Sequence, residues 1–483
     1  MKKIKEFLFE NKNIRQTIIK NTIWVSSSIT LSRVVRSLVI IYAARVLGTE
    51  GYGIFSYAMS FAAIFNIFSD IGLSGLLTRE LVKRSEKKEY LSTSFALKMA
   101  LVVLTTVLIA FISPFFTNIA DAKPLMIIMA ALIAFDSIRN FLFSISRAEN
   151  RMQFEATFEI ITEIFITSIC FIILARAPSA YNFAVGYALA SGLSMLIALI
   201  SLRTYLSGIL TYFRKELILP ILSSAWPFAV MGVFGVFLTN IDSVIIGYFM
   251  PVSDLGLYAA AQKPISMFYL IPGFLYTSLF PFISKFIKDA DEKKLTILLR
   301  KSIIVSLGLA LPIVLGGIII AGPLINVVYG HDYIGATLTF QLLLLTLLPI
   351  FPGMMLSNVL FAEDKQKIFI KSSALGAGIN IVLDLILIPI YGIAGSAIAT
   401  IFAQLAVNGI FFKEILKNHE LNIWKDMRKI VLATIVMALA VFAMKTMLWP
   451  IISIVSLSAA IYFGLLFMQK EEVLGDIRQG FKI

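Results

Sequence analysis

The stretch ITLSRVVRSLVIIYAARVLG, Ile29 to Gly48, decides how the rest of this chain is read. With the apolar residues before it, it is long enough to cross a hydrocarbon layer of about 30 Å as one helix. Yet Arg33 and Arg36 stand near its middle. A charge at that depth costs a few kcal/mol on insertion scales, so it must face water, a partner or a ligand rather than lipid. Thr22, Ser26, Thr30, Arg33 and Ser37 step round the helix by about one turn each, with Arg36 beside them, and together they form a polar stripe. The stripe has two readings: a cationic wall for an anionic substrate, or an Arg pair neutralised by acidic neighbours as a structural clamp.

The whole chain shares this character. Of its 483 residues 59% are hydrophobic and 15% charged, against about a quarter charged in ordinary soluble proteins. Apolar runs recur at 18–44, 54–78, 92–112, 125–146, 154–175, 181–202, 217–248, 256–283, 302–321, 335–361, 372–389, 393–412, 430–447 and 449–468. They predict an all-α integral membrane protein of about fourteen transmembrane helices, with no room for a soluble domain. Lys and Arg accumulate on the cytoplasmic side of membrane proteins. Of the 42 here, 33 fall in the tails and alternate connections that begin with the N-terminus, and the opposite side holds only Arg45, Lys123, Arg176 and Lys445. A multi-pass protein of the cell membrane with both termini cytoplasmic is therefore expected, and the net charge of +13 is topological. The basic residues are scattered among short loops, so no nucleic-acid partner is expected. The one cysteine, Cys170, falls in a span and leaves no internal disulfide or Cys-based metal cluster. The first apolar run is too long for a signal peptide and lacks a small-residue cleavage site, so it is expected to be retained.

Two short passages recur in order. GIFSYA at Gly53–Ala58 resembles GLYAAA at Gly256–Ala261, and GYALAS at Gly186–Ser191 resembles GSAIAT at Gly395–Thr400, at offsets of 203 and 209. Their common spacing predicts a duplicated unit of six helices. Because six is even, the halves share one orientation and relate by an axis along the membrane normal, with a substrate site expected between them near the midplane. The expected divisions are an N-lobe at 1–203, a C-lobe at 204–416, and two appended helices with a tail at 417–483.

The remaining intramembrane charges are matched by depth, since in an antiparallel helix pair residues equally far from the shared loop lie at similar height. Asp242 and Lys263 match around an outer loop, either as a bridge or as two groups lining the second lobe's cavity. Asp70 and Lys98 match around a cytoplasmic loop and read as a structural pair. Arg139 matches Glu163, with Asp136 one turn from Arg139 and with Glu155, Glu159 and Glu163 forming an acidic stripe that favours internal neutralisation. Asp384 stands with Asn380 on the eleventh span and has no matched cation. His331 and His419 lie in loops, lack metal-ligand spacing and read as solvated surface residues. Pro227, Pro264, Pro272, Pro281, Pro312, Pro349 and Pro352 offer places for helices to bend.

RVLGTEGYGIFSYA at Arg45–Ala58, DIGLS at Asp70–Ser74, GLYAAA, and NIVLDLILIPIYGIAGSAIAT at Asn380–Thr400 resemble the polysaccharide transporters called Wzx-type flippases. Their superfamily also holds multidrug extruders and lipid II flippases, and the resemblance spans roughly residues 15–415. It implies two six-helix lobes facing each other in a V. It also implies translocation of a polyprenyl-phosphate- or pyrophosphate-linked oligosaccharide from the cytoplasmic to the outer leaflet by alternating access, for cell-surface polysaccharide biosynthesis. Related flippases draw cavity cations from helices 1 and 8. By position the resemblance assigns Arg33, Arg36 and Lys263, with Arg139, to the phosphate-bearing headgroup. Asp242, Asp136, Glu163, Asp70, Lys98 and Asp384 remain as coupling or charge-pair residues. Implied partners are the lipid-linked oligosaccharide, membrane lipids and polysaccharide-assembly proteins, and no cofactor or metal is implied. The competing reading is a multidrug exporter driven by Na⁺ or H⁺ antiport through acidic residues such as Asp242, Glu163 and Asp384. An enzyme acting on lipid-linked sugars is disfavoured, because the longest outer loop is only about a dozen residues.

Overall fold

The computed structural model describes residues 14–83, 87–149, 151–206 and 208–468. The regular structure in them is helical, as lipid demands of a chain that must satisfy every backbone polar group internally. The helices of eight residues or more are α1 (Ile14–Phe65), α2 (Leu73–Lys83), α3 (Lys87–Val107), α4 (Lys123–Ala148), α5 (Met152–Arg176), α6 (Ala180–Ser201), α7 (Ile218–Phe249) and α8 (Val252–Phe268). They continue with α9 (Leu270–Lys288), α10 (Glu292–Tyr329), α11 (Thr337–Leu345), α12 (Leu347–Ala362), α13 (Gln366–Tyr391), α14 (Ile393–Ile415), α15 (Trp424–Thr446) and α16 (Ile451–Met468).

Among the described residues 11 helical segments are long and apolar enough to cross a membrane, and two bent pairs raise the number to 13. The difference from the expected fourteen lies at the start of the chain. There α1 takes in the first expected span and residues 54–65 of the second, in two helical stretches that meet at a kink at Gly48, whose φ of 66° only glycine adopts without strain.

The two bent pairs occupy equivalent places in the sequence repeat. Thr30–Asp70 meets Leu73–Leu81 at 40°, and Val252–Tyr276 meets Leu279–Lys288 at 45°. The breaks are 206 residues apart, between the two offsets of the repeat. At the first break Gly72 has a φ of 82°, and a Cβ on it would lie 2.6 Å from the Ala225 carbonyl oxygen of α7. Only glycine permits both the turn and that approach.

The glycines of the repeated passages make matching contacts. Gly186 on α6 approaches Cys170 and Ile173 of α5, while Gly395 on α14 approaches the Leu387 carbonyl of α13. A Cβ on Gly53 would run into the Val252 carbonyl oxygen, and one on Gly256 would run into the Thr49 carbonyl oxygen. Each glycine thus meets the residue four positions before its counterpart.

By compactness the chain divides into residues 1–256 and 257–483. In the first unit α1 runs along α5 and α7, and α6 packs on both α4 and α5. Its core gathers Leu73, Leu77, Phe141, Leu142 and Phe143. In the second unit α13 and α14 form the most extensive pair, and α12 packs against α9, α10 and α14. Helices α15 and α16 join this unit through Ile304, Ile430, Met437 and Tyr462. The Tyr462 hydroxyl donates to the Gly308 carbonyl, and Arg300 pairs with Asp426 at 2.6 Å.

His419 corrects the expectation of a solvated surface residue. It is buried, and its Nδ1 lies 2.7 Å from the Thr296 hydroxyl. The connection that carries it docks Leu421 and Ile423 against the core that includes Leu295, Leu298 and Leu299 of α10. His331 is exposed.

Candidate functional site: a charge network in the first unit

Four helices of the first unit bring ionisable groups together. Helix α1 carries Arg33 and Arg36, α4 carries Asp136 and Arg139, α5 carries Glu155, Glu159 and Glu163, and α6 carries Tyr187 and Ser191. The side chains of Thr22 and Ser26, and the terminal segments 1–13 and 469–483, lie outside the described residues. Of the polar stripe, Thr30 and Arg33 are exposed, and the Ser37 hydroxyl donates back to the Arg33 carbonyl at 2.6 Å.

Arg36 is held by a fork. Its Nε–H donates to Glu163 Oε2 at 2.9 Å, and its Nη2 donates to Oε1. Glu163 is 0% exposed, whereas 42% of the Arg36 side chain remains exposed. A guanidinium has five N–H donors. Glu163 therefore anchors the buried edge of Arg36 through two of them and leaves the other edge open. Tyr187 lies within charge range of both groups.

Arg139 is engaged separately. Its Nη2 pairs with Asp136 Oδ1 at 2.8 Å and its Nη1 donates to Ser191 Oγ at 2.9 Å, while the Ser191 hydroxyl donates to Asp136. Its Nε has no hydrogen-bond partner, although the residue is only 5% exposed. Beside the α4–α5 connection Arg147 grips Glu155 with bonds of 2.7 and 2.8 Å. Between the two gripped carboxylates of α5, Glu159 makes no hydrogen bond or ion pair among the described residues. It lies within charge range of both Arg139 and Arg36.

Depth matching thus found the right groups and one wrong partner. Glu163 pairs with Arg36 and not with Arg139, because α5 packs along α1 and touches α4 much less, despite the short connection between α4 and α5. Arg139 takes Asp136, one turn away on its own helix. Asp70 and Lys98 are paired at 2.6 Å, and Asp70 also accepts from the Ser74 hydroxyl and from its backbone N–H at 3.3 Å. The pair pins the α2 break to α3. At the equivalent positions of the second half the Tyr276 and Ser306 hydroxyls are hydrogen-bonded, so a neutral contact stands where the first half has an ion pair. Asp242 is buried on α7 in the first unit, and Lys263 is exposed on α8 in the second. Asp384 and Asn380 are buried one turn apart on α13, with neither polar side-chain atom of Asn380 bonded among the described residues. Sequence reasoning did not single out Tyr187 and Ser191. Both lie in the repeated GYALAS passage, which was the available signal.

Long apolar helices with buried, paired charges make an integral membrane fold, and solved structures share it. The lipid II flippase MurJ in an inward closed conformation superimposes with a TM-score of 0.74 at 20% identity, over 93% of this chain and 99% of that one. An inward-facing multidrug resistance MATE family transporter gives 0.59 at 15% identity, over 82% and 94%. At these identities the likeness establishes the fold.

The family described as "Polysaccharide biosynthesis protein" matches residues 18–287, and MatE matches residues 227–386. The chain belongs to the polysaccharide biosynthesis protein family. It is 23% identical to the "Probable low-salt glycan biosynthesis flippase Agl15" of Haloferax volcanii over 88% of this chain and 89% of that protein. To the "Probable flippase AglR" of the same organism it is 22% identical over 77% of each. These relatives are transporters and flippases rather than enzymes.

Proposed function

We propose that this protein is a flippase that moves a polyprenyl-phosphate- or pyrophosphate-linked oligosaccharide from the cytoplasmic to the outer leaflet by alternating access, in cell-surface polysaccharide biosynthesis. The observation that carries the proposal is the mid-span cationic pair on α1. Arg33 is exposed, and Arg36 is anchored from behind by a buried carboxylate while 42% of its side chain stays exposed. Exposed charges at that depth face hydrated space rather than lipid, and guanidinium donors suit phosphate oxygens. Relatives named as flippases, one of them of glycan biosynthesis, support the same reading. Arg33, Arg36, Lys263 and Arg139 are the cations assigned to the substrate headgroup. Asp242 and Asp384 are assigned to coupling, and Asp136, Glu163, Asp70 and Lys98 to charge pairing.

The protein resides in the cell membrane with both termini cytoplasmic, an orientation supported by the distribution of its basic residues. The moving parts are the lobes at 1–203 and 204–416, to which 417–483 is appended, and polysaccharide-assembly proteins supply and receive the substrate. The match to MatE over 227–386 favours one second reading, a multidrug exporter driven by cation antiport. One reconstitution separates them. In vesicles, a fluorescent polyprenyl-diphosphate glycan should reach the outer leaflet, and Arg33→Ala with Arg36→Ala should abolish its delivery. Unchanged delivery by the double variant, or export of a cationic dye in its place, would refute the flippase reading.

A further inference from the structure

Within the charge network one edge of Arg36 and the whole carboxylate of Glu159 are uncommitted. We infer that Arg36 and Glu159 form a subsite for the hydroxyl groups of the glycan, not for the phosphate, an assignment that rests on the flippase reading. Arg36 is already bonded through two N–H groups to Glu163. A phosphate that took both of those donors would strand a fully buried carboxylate, which is strongly unfavourable. Charge points the same way. Arg36 and Arg139 stand among three carboxylates, Asp136, Glu159 and Glu163, so this part of the network offers a dianion no net attraction. Glu159, one turn of α5 from Glu163, repels a phosphate directly.

A sugar hydroxyl both donates and accepts. Two neighbouring hydroxyls on one ring can therefore accept from the open edge of Arg36 and donate to Glu159, and such charge-assisted bonds are the stronger kind. Glu159 is half-buried and lies in charge range of Arg36 and of Arg139, whose Nε–H has no partner on a side chain that is itself buried. Arg33, exposed one turn nearer the N-terminus of α1, is left to the phosphate. The subsite and the phosphate group thus divide a single substrate between them.

The test compares two probes on the purified full chain: polyprenyl diphosphate, and the same lipid carrying one N-acetylglucosamine. The sugar-bearing probe should bind about tenfold more tightly, the gain expected from a hydrogen bond to a charged group. Glu159→Gln should remove most of that difference while leaving affinity for the bare lipid unchanged or slightly improved, which also reports that the variant is folded. Glu159→Asp should recover part of the difference. Equal binding of the two probes by the unaltered protein would overturn the inference, and so would an equal loss of both in Glu159→Gln. If neither probe binds the unaltered protein, the flippase reading fails first, and that outcome is distinguishable from the other two.

Discussion

Replacing Asp70 by Asn would leave the ammonium of Lys98 without its counter-charge. Lys98 is 0% exposed and donates to Asp70 at 2.6 Å, while the Asp70 side chain is 32% exposed. Removing one member of a buried pair costs about 3–5 kcal/mol. The partial exposure of Asp70 lets water screen the pair and argues for the lower end, about 3 kcal/mol. Asp70→Asn with Lys98→Met removes both charges together and should recover most of that loss. The equivalent pin in the second half supplies the contrast. Tyr276→Phe deletes a neutral hydrogen bond, and Ser306 still donates to the Ser302 carbonyl, so the cost should be about 0.5–1.5 kcal/mol. Equilibrium unfolding in mixed detergent and dodecyl sulfate micelles would rank the three variants. The reasoning is refuted if Asp70→Asn lies within about 1 kcal/mol of the unaltered protein, or if the double variant is as unstable as the single one.

Other expectations use the same protein and assays. Gly256→Ala drives a Cβ into the rigid backbone at Thr49 and should cost about 1–3 kcal/mol in the unfolding assay, whereas Gly464→Ala, where a Cβ meets nothing within 4 Å, should be neutral or stabilising. Glu163→Gln loosens the fork that holds Arg36, and flipping should slow by about tenfold through lost positioning. A normal rate would show that Arg36 does not need its anchor. Cys170 is fully buried against Gly186, so a maleimide should label it only after unfolding.

Much of this was legible in the residues. The spans and the duplication follow from local features. Crossing a membrane needs a run of fixed length whose backbone satisfies itself, and that requirement is written residue by residue. The break at Asp70–Ser74 lay in a quoted passage, but its bend did not show. It needs Gly72 at positive φ together with the approach of α7, and the second of these comes from a distant segment. The kink at Gly48 falls within the connection expected between the first two spans, but the helical course of residues 49–53 right after it was not legible.

What the sequence by itself determined was which groups are charged, on which helix they lie and at what depth, since a helix rises about 1.5 Å per residue whatever surrounds it. The partners were decided only by tertiary structure. Rotation about the helix axis and the choice of neighbouring helix depend on packing along the whole length of each element. So Glu163 turned to Arg36 across α1 and α5, Arg139 closed on Asp136 within α4, and Glu159 was left open between them.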